Sequence, residues 1–114
     1  MKFLLTYTAS DNAPPTPEKM AAIGRFAQEM SAAGILLMTG GLERPTKGTH
    51  VKLTGDAFSI TDGPFAETKE VIDGFALVRA ASRQEALALA ERFMRIAGEG
   101  VGEILQVFDA ADVP

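Results

Sequence analysis

The sequence predicts an α+β fold, with a mainly antiparallel sheet and two helices on one of its faces. Three observations lead there. Apolar periodicity alternates between the two-residue repeat of strands and the three-to-four-residue repeat of helices, in the order strand, helix, strand, hairpin, strand, helix, strand. Both helices open on capping residues and stop at glycines. A two-residue loop, Gly55-Asp56, separates two alternating runs, which is the pattern of a tight hairpin. Two strand–helix–strand units in one chain of 114 residues point to the ferredoxin-like class.

Residues 2–8 are rich in aromatic and β-branched types and read as the first strand. Residues 11–15 form a loop. Thr16-Pro17-Glu18 then starts a helix, with Thr as N-cap, Pro at the first helical position and an acid in the first turn. Met20, Ile23, Ala27 and Met30 make its apolar face, with Phe26 beside them, and Met20 and Met30 are expected in the core. Gly34 stops the helix. Residues 35–39 form a buried strand ended by Gly40-Gly41. Residues 49–54 and 57–61 flank the hairpin turn, and residues 72–80 form the next strand. Ser82-Arg83-Gln84-Glu85 is a capping box. The helix it opens turns Ala86, Leu89, Phe93 and Ile96 inward and ends at Gly98. Residues 103–108 are the last strand and 109–114 a polar tail.

Composition excludes more than it names. A chain of this length buries roughly two thirds of its unfolded surface and needs no covalent or metal staple. Zero cysteines exclude a disulfide framework, a thiolate zinc site, an iron–sulfur cluster and a cysteine nucleophile. One histidine excludes a multi-histidine metal site. Eleven basic against fifteen acidic residues give a net charge of −4, which argues against a generic nucleic-acid binder. The apolar run at Phe3-Leu4-Leu5 is too short for a signal peptide, and no stretch reaches the ~20 apolar residues of a membrane span. A cytoplasmic protein without a membrane partner is the expectation.

An antiparallel sheet covered on one side alternates apolar and polar residues. Phe3-Leu4-Leu5, Phe75-Ala76-Leu77-Val78 and Ile104-Leu105 do not. Two helices cover one face only, and the rest of the chain has nothing for the other, which left wet is a large apolar patch. A homodimer with two sheets face to face is the expectation. A monomer with one apolar ligand groove is the competing reading.

The distinctive stretch is Asp62-Gly63-Pro64-Phe65-Ala66-Glu67-Thr68-Lys69-Glu70. With Gly55-Asp56 as the turn, Leu53 pairs Phe58, Val51 pairs Ile60 and Thr49 faces Asp62. Asp62 therefore shares a face with Phe58 and Ile60, at the end of an apolar row. A carboxylate there can face a pocket, or it can simply hydrogen-bond its own turn ahead of Gly-Pro. Glu67, Lys69 and Glu70 can orient a polar ligand or form a solvated turn.

This stretch resembles the signature of the DGPF proteins, a branch of the YCII-related (YciI-like) family. Asp62-Gly63-Pro64-Phe65 match its name-giving motif and residues 66–70 extend it. The first strand, the Pro17-Glu18 helix start, Gly74-Phe75 and Glu85-Ala86 fit as well, so the resemblance spans essentially the whole chain. It implies a ferredoxin-like sandwich that pairs into a dimeric α/β barrel, with a cleft for a small molecule. Relatives in the wider superfamily act on small, often aromatic or lactone-type, molecules without metal or organic cofactor. Other DGPF proteins are similar to companions of extracytoplasmic-function sigma factors.

One departure stands out. YciI-like enzymes carry a His–Asp dyad whose histidine lies early in the first helix, shortly after a proline. Here that register holds Lys19, and the aspartate expected after the second helix has no counterpart in residues 96–102. Asp62 is then the acid–base candidate, since proton transfer beside an apolar cleft suits a carboxylate. Glu67, Lys69, Tyr7 and Arg44 are the candidate ligand contacts, with a core role for Tyr7 and a solvated one for Arg44 as the plainer readings. His50 pairs opposite Thr61, on the face away from Asp62, and reads as a surface or interface residue. Arg92 and Arg95 read as a solvated helix face. Three functions follow: a small-molecule-binding protein that extends to a cofactor-free enzyme, a non-catalytic sigma-factor partner, or a stable dimer with a vestigial cleft.

Overall fold

A computed structural model describes residues 1–10, 14–43, 47–64 and 72–110. The elements run β1 (Lys2–Ala9), α1 (Pro17–Ala32), β2 (Leu36–Gly41), β3 (Thr49–Thr54), β4 (Ala57–Asp62), β5 (Gly74–Arg79), α2 (Arg83–Ala97), β6 (Gly100–Val101) and β7 (Ile104–Val107). The main sheet is ordered β2-β5-β1, and β6 and β7 both pair with the far edge of β1. Every one of these pairings is antiparallel. Two helices against an antiparallel sheet, with β5 inserted between β1 and β2, are compatible with the ferredoxin-like fold. β3 and β4 form a separate two-stranded sheet.

The helix ends follow the local chemistry. Thr16 Oγ1 accepts the Lys19 amide at 3.2 Å, and Pro17 follows the cap. At the other end Gly34 adopts φ +76°. Its amide donates to Ser31 and that of Ile35 to Met30, the Schellman pattern that only a left-handed residue closes readily. Ser82 caps α2 through the Glu85 amide. The Glu85 carboxylate reaches back to the amide of Ala81, one residue upstream of its usual capping-box target.

The core lies between the helices and one sheet face. Phe3, Met30, Val78, Ala80, Ala86 and Leu89 are buried, with Leu5, Phe26, Ile35, Leu36, Ala76 and Ile104 packed against them. Met20 departs from expectation and is 58% exposed. At 100° per residue it sits roughly 80° around the helix from Met30, at the flank of the buried stripe. The inward positions of the first turns are instead the half-buried Lys19, Ala22 and Ile23.

β2 also departs from its expected bounds: Gly40 and Gly41 do not follow it but are its last two residues, opposite Phe75 and Gly74. A Cβ on Gly40 would stand 3.1 Å from the Phe75 ring, so the bare glycine lets the aromatic lie over the strand. The short β6 was not legible from periodicity, because it is only a glycine and a valine held against Thr8 and Ala9. A Cβ on Gly100 would collide with the Thr8 carbonyl and come within 2.8 Å of the Tyr7 ring.

Two glycine substitutions separate these roles. Gly100→Ala is expected to destabilise the protein by about 1–3 kcal/mol, since the colliding atom is backbone. Gly24 has open space around it in α1, so Gly24→Ala is expected to stabilise by about 0.5–1 kcal/mol. Urea midpoints at constant slope measure both.

Candidate functional site

The sheet has a second apolar face. Register places Leu105, Leu4, Leu77 and Met38 side by side across β7, β1, β5 and β2. Their neighbours along the strands, Phe3, Val78 and Leu36, point into the core. Strand alternation therefore turns the leucine row away from the helices. Leu105 and Met38 are 49% and 59% exposed, and Leu4 and Leu77 are half-buried. Phe75, opposite Thr6 and Gly40, extends this face. Lys2 and Arg79, opposite each other, edge it with positive charge.

The hairpin supplies a second apolar surface. Its register pairs Leu53 with Phe58, Val51 with Ile60 and Thr49 with Asp62, as the turn requires. Thr49 Oγ1 donates to Asp62 Oδ1 at 2.8 Å, a contact possible only if both side chains leave the same face. Asp62 is exposed at the end of the row. The Gly63 amide donates to the Gly48 carbonyl and closes the hairpin base, and the Gly63–Pro64 peptide is cis. His50, opposite Thr61, is exposed on the other face.

Tyr7 lies elsewhere. Its parity in β1 is that of Phe3 and Leu5, so its ring enters the helix layer and meets Phe93 edge-on at 5.3 Å. Its hydroxyl donates toward the carbonyls of Gly98 (2.9 Å) and Glu99 (3.2 Å). Lys19 ends beside the same turn: its Nζ lies 3.0 Å from where a Cβ on Gly98 would stand. Arg44, Glu67 and Lys69 lie outside the described residues. The described candidates therefore do not converge: Asp62 belongs to the hairpin and Tyr7 to the core.

Asp73 is a residue that sequence reasoning missed. Its Oδ2 accepts the Ala9 amide at 2.7 Å, its own amide donates to the Tyr7 carbonyl, and its carbonyl accepts the Leu42 amide. One residue thus ties the ends of β1 and β2 to the start of β5. The signal was an Asp directly before Gly74, a pair suited to turning the chain into a strand.

On the far side, α1 and α2 enclose an open hollow of about 440 Å³. Arg92 lies over the Phe26 ring at 5.0 Å and 3.8 Å from Glu29, and Arg95 pairs with Glu91. Both arginines are exposed, and such pairs contribute little. Among the described residues no group of three or more His, Asp or Glu side chains gathers as a metal site. Nor is any helix among them long and apolar enough to cross a membrane.

These features define a small two-layer α+β protein whose sheet has an apolar outer face and which carries a separate, acid-tipped hairpin. The YCII-related domain family matches residues 1–111, and the chain belongs to that family. No curated protein sequence matches it significantly.

Tyr7→Phe tests the structural role of the hydroxyl. Losing its bonds to two carbonyls is expected to cost about 1 kcal/mol, measured by urea unfolding.

Proposed function

We propose that this YCII-related protein is a small-molecule-binding member of the DGPF branch, working as a cytoplasmic homodimer. Two outer sheet faces pack toward each other, and a cleft between them takes a small, largely apolar ligand. The carrying observation is the apolar row Leu53, Phe58, Val51, Ile60 ending in the Thr49–Asp62 pair. A dry wall with one carboxylate at its lip is a common form of small-ligand site. Asp62 anchors a polar group of the ligand, or moves a proton to or from it where a reaction follows. Glu67 and Lys69 of the motif shape its charge, and Arg44 is a further candidate ligand contact. No metal or organic cofactor enters this reading.

Light scattering at micromolar concentration is expected to give about 24 kDa, twice the 12.1 kDa chain. Replacing Leu77 by Arg on the outer face is expected to shift the population toward the 12.1 kDa species.

A panel of small aromatic and lactone-type compounds, screened by calorimetry, tests the site. Asp62→Asn is expected to weaken the best binder at least tenfold while moving stability by no more than about 0.5 kcal/mol, since the residue is exposed. Unchanged affinity would remove Asp62 from the site. A panel without binders, together with capture of a sigma factor by the wild-type dimer, would favour the regulatory function instead.

A further inference from the structure

We infer that the β3–β4 hairpin is an exchanged arm: in the dimer proposed above, each copy lays its hairpin on the outer sheet face of the other. The Thr49–Asp62 pair of one chain then serves a cleft floored by its partner. This rests on the dimeric reading and goes beyond it, since two sheets can pack face to face without exchanging anything.

The hairpin gains no cover from the other described elements. It pairs with no strand of the main sheet, and all twelve of its strand residues are exposed. Val51, Leu53, Phe58 and Ile60 are each more than 60% exposed. A two-stranded hairpin is at best marginally stable in water without a surface to pack on. The shape agrees. The chain measures 45 × 43 × 20 Å with a radius of gyration of 16.4 Å, against roughly 13 Å for a compact chain of this length. The hairpin stands off the body.

The outer sheet face matches the arm in length, chemistry and charge. At about 3.3 Å per residue, the stretch from Phe58 to Asp62 is about 13 Å long. On the face, Phe75, Leu77 and Arg79 leave the same side of β5 at the same spacing, over about 13 Å. Both surfaces are aliphatic with one aromatic, Phe58 on the arm and Phe75 on the face. The arm's row ends in Asp62, whose carboxylate takes a hydrogen bond from Thr49. The face is edged by Arg79, which is exposed and has no ionic partner among the described residues; its neighbour Lys2 already holds Asp109 at 2.8 Å. A single chain thus carries both halves of a complementary contact that it does not make with itself. Twofold pairing satisfies two arms and two faces and leaves none over.

The absence of cysteine makes the test clean. A tagged Ile60→Cys chain and an untagged Leu77→Cys chain are mixed, allowed to exchange, and oxidised mildly. Ile60 is exposed and Leu77 turns away from the helices, so the substitutions leave the core intact. The expected result is a mixed adduct of tagged and untagged chains as the main product on a non-reducing gel. Lys52→Cys, on the opposite hairpin face, should give at least tenfold less of it. Phe58→Cys with Phe75→Cys repeats the experiment at the other end of the stretch. If light scattering shows a dimer but Ile60→Cys joins only to itself, or to nothing, the arm is refuted and the dimer stands. A chain that remains monomeric overturns both.

Discussion

The sheet of this protein is apolar on two faces, and the chain has one layer of helices to cover them. Phe3, Val78 and Ala76 turn toward α1 and α2, while Leu4, Leu77 and Leu105, one residue along in each strand, turn away. Fully burying one such side chain contributes about 1.5–3 kcal/mol. Leu4, Leu77, Leu105 and Met38, left half in water, together forgo a stabilisation on the order of 4 kcal/mol per chain. That is a large fraction of the roughly 5–15 kcal/mol by which a domain exceeds its unfolded state. The helices cannot supply this cover, because crossovers between β1 and β2 and between β5 and β7 keep both on one side.

The constraint is also what ties the fold to function. In the dimer proposed above, a cleft remains wherever the two surfaces do not meet fully. Here the candidate carboxylate stands not on the sheet but on the detached hairpin, bonded to Thr49 and otherwise open. Tyr7 and Asp73 serve a different end. The tyrosine hydroxyl holds the turn after α2, and the aspartate ties three strand ends together. They hold the rim of the sheet together and take no part in the hairpin.

Much of this was legible in the sequence because it rests on local chemistry. The Thr16 and Ser82 caps, the Gly34 stop and the hairpin register each depend on a few adjacent residues. So does the two-faced character of β1, β5 and β7, since alternation has a strict period of two. What was not legible depends on long-range approach. Gly40 continues a strand because Phe75 lies over it from β5, and β6 exists because Gly100 lets the chain press against Thr8 and Tyr7. Met20 fits the helical period yet lies at the flank of the stripe, where the body of the protein does not reach. The bonds of Asp73 reach residues more than thirty positions earlier, beyond the reach of local pattern.

The central claim is that a second copy of this chain supplies the missing cover. Association that stabilises the folded state makes thermal unfolding depend on protein concentration. Calorimetric scans from about 1 to about 100 µM chain test this directly, and the account predicts a midpoint that rises by several degrees across that range. A midpoint that stays constant at every concentration would contradict it, because the outer face would then be stable in water on a single chain.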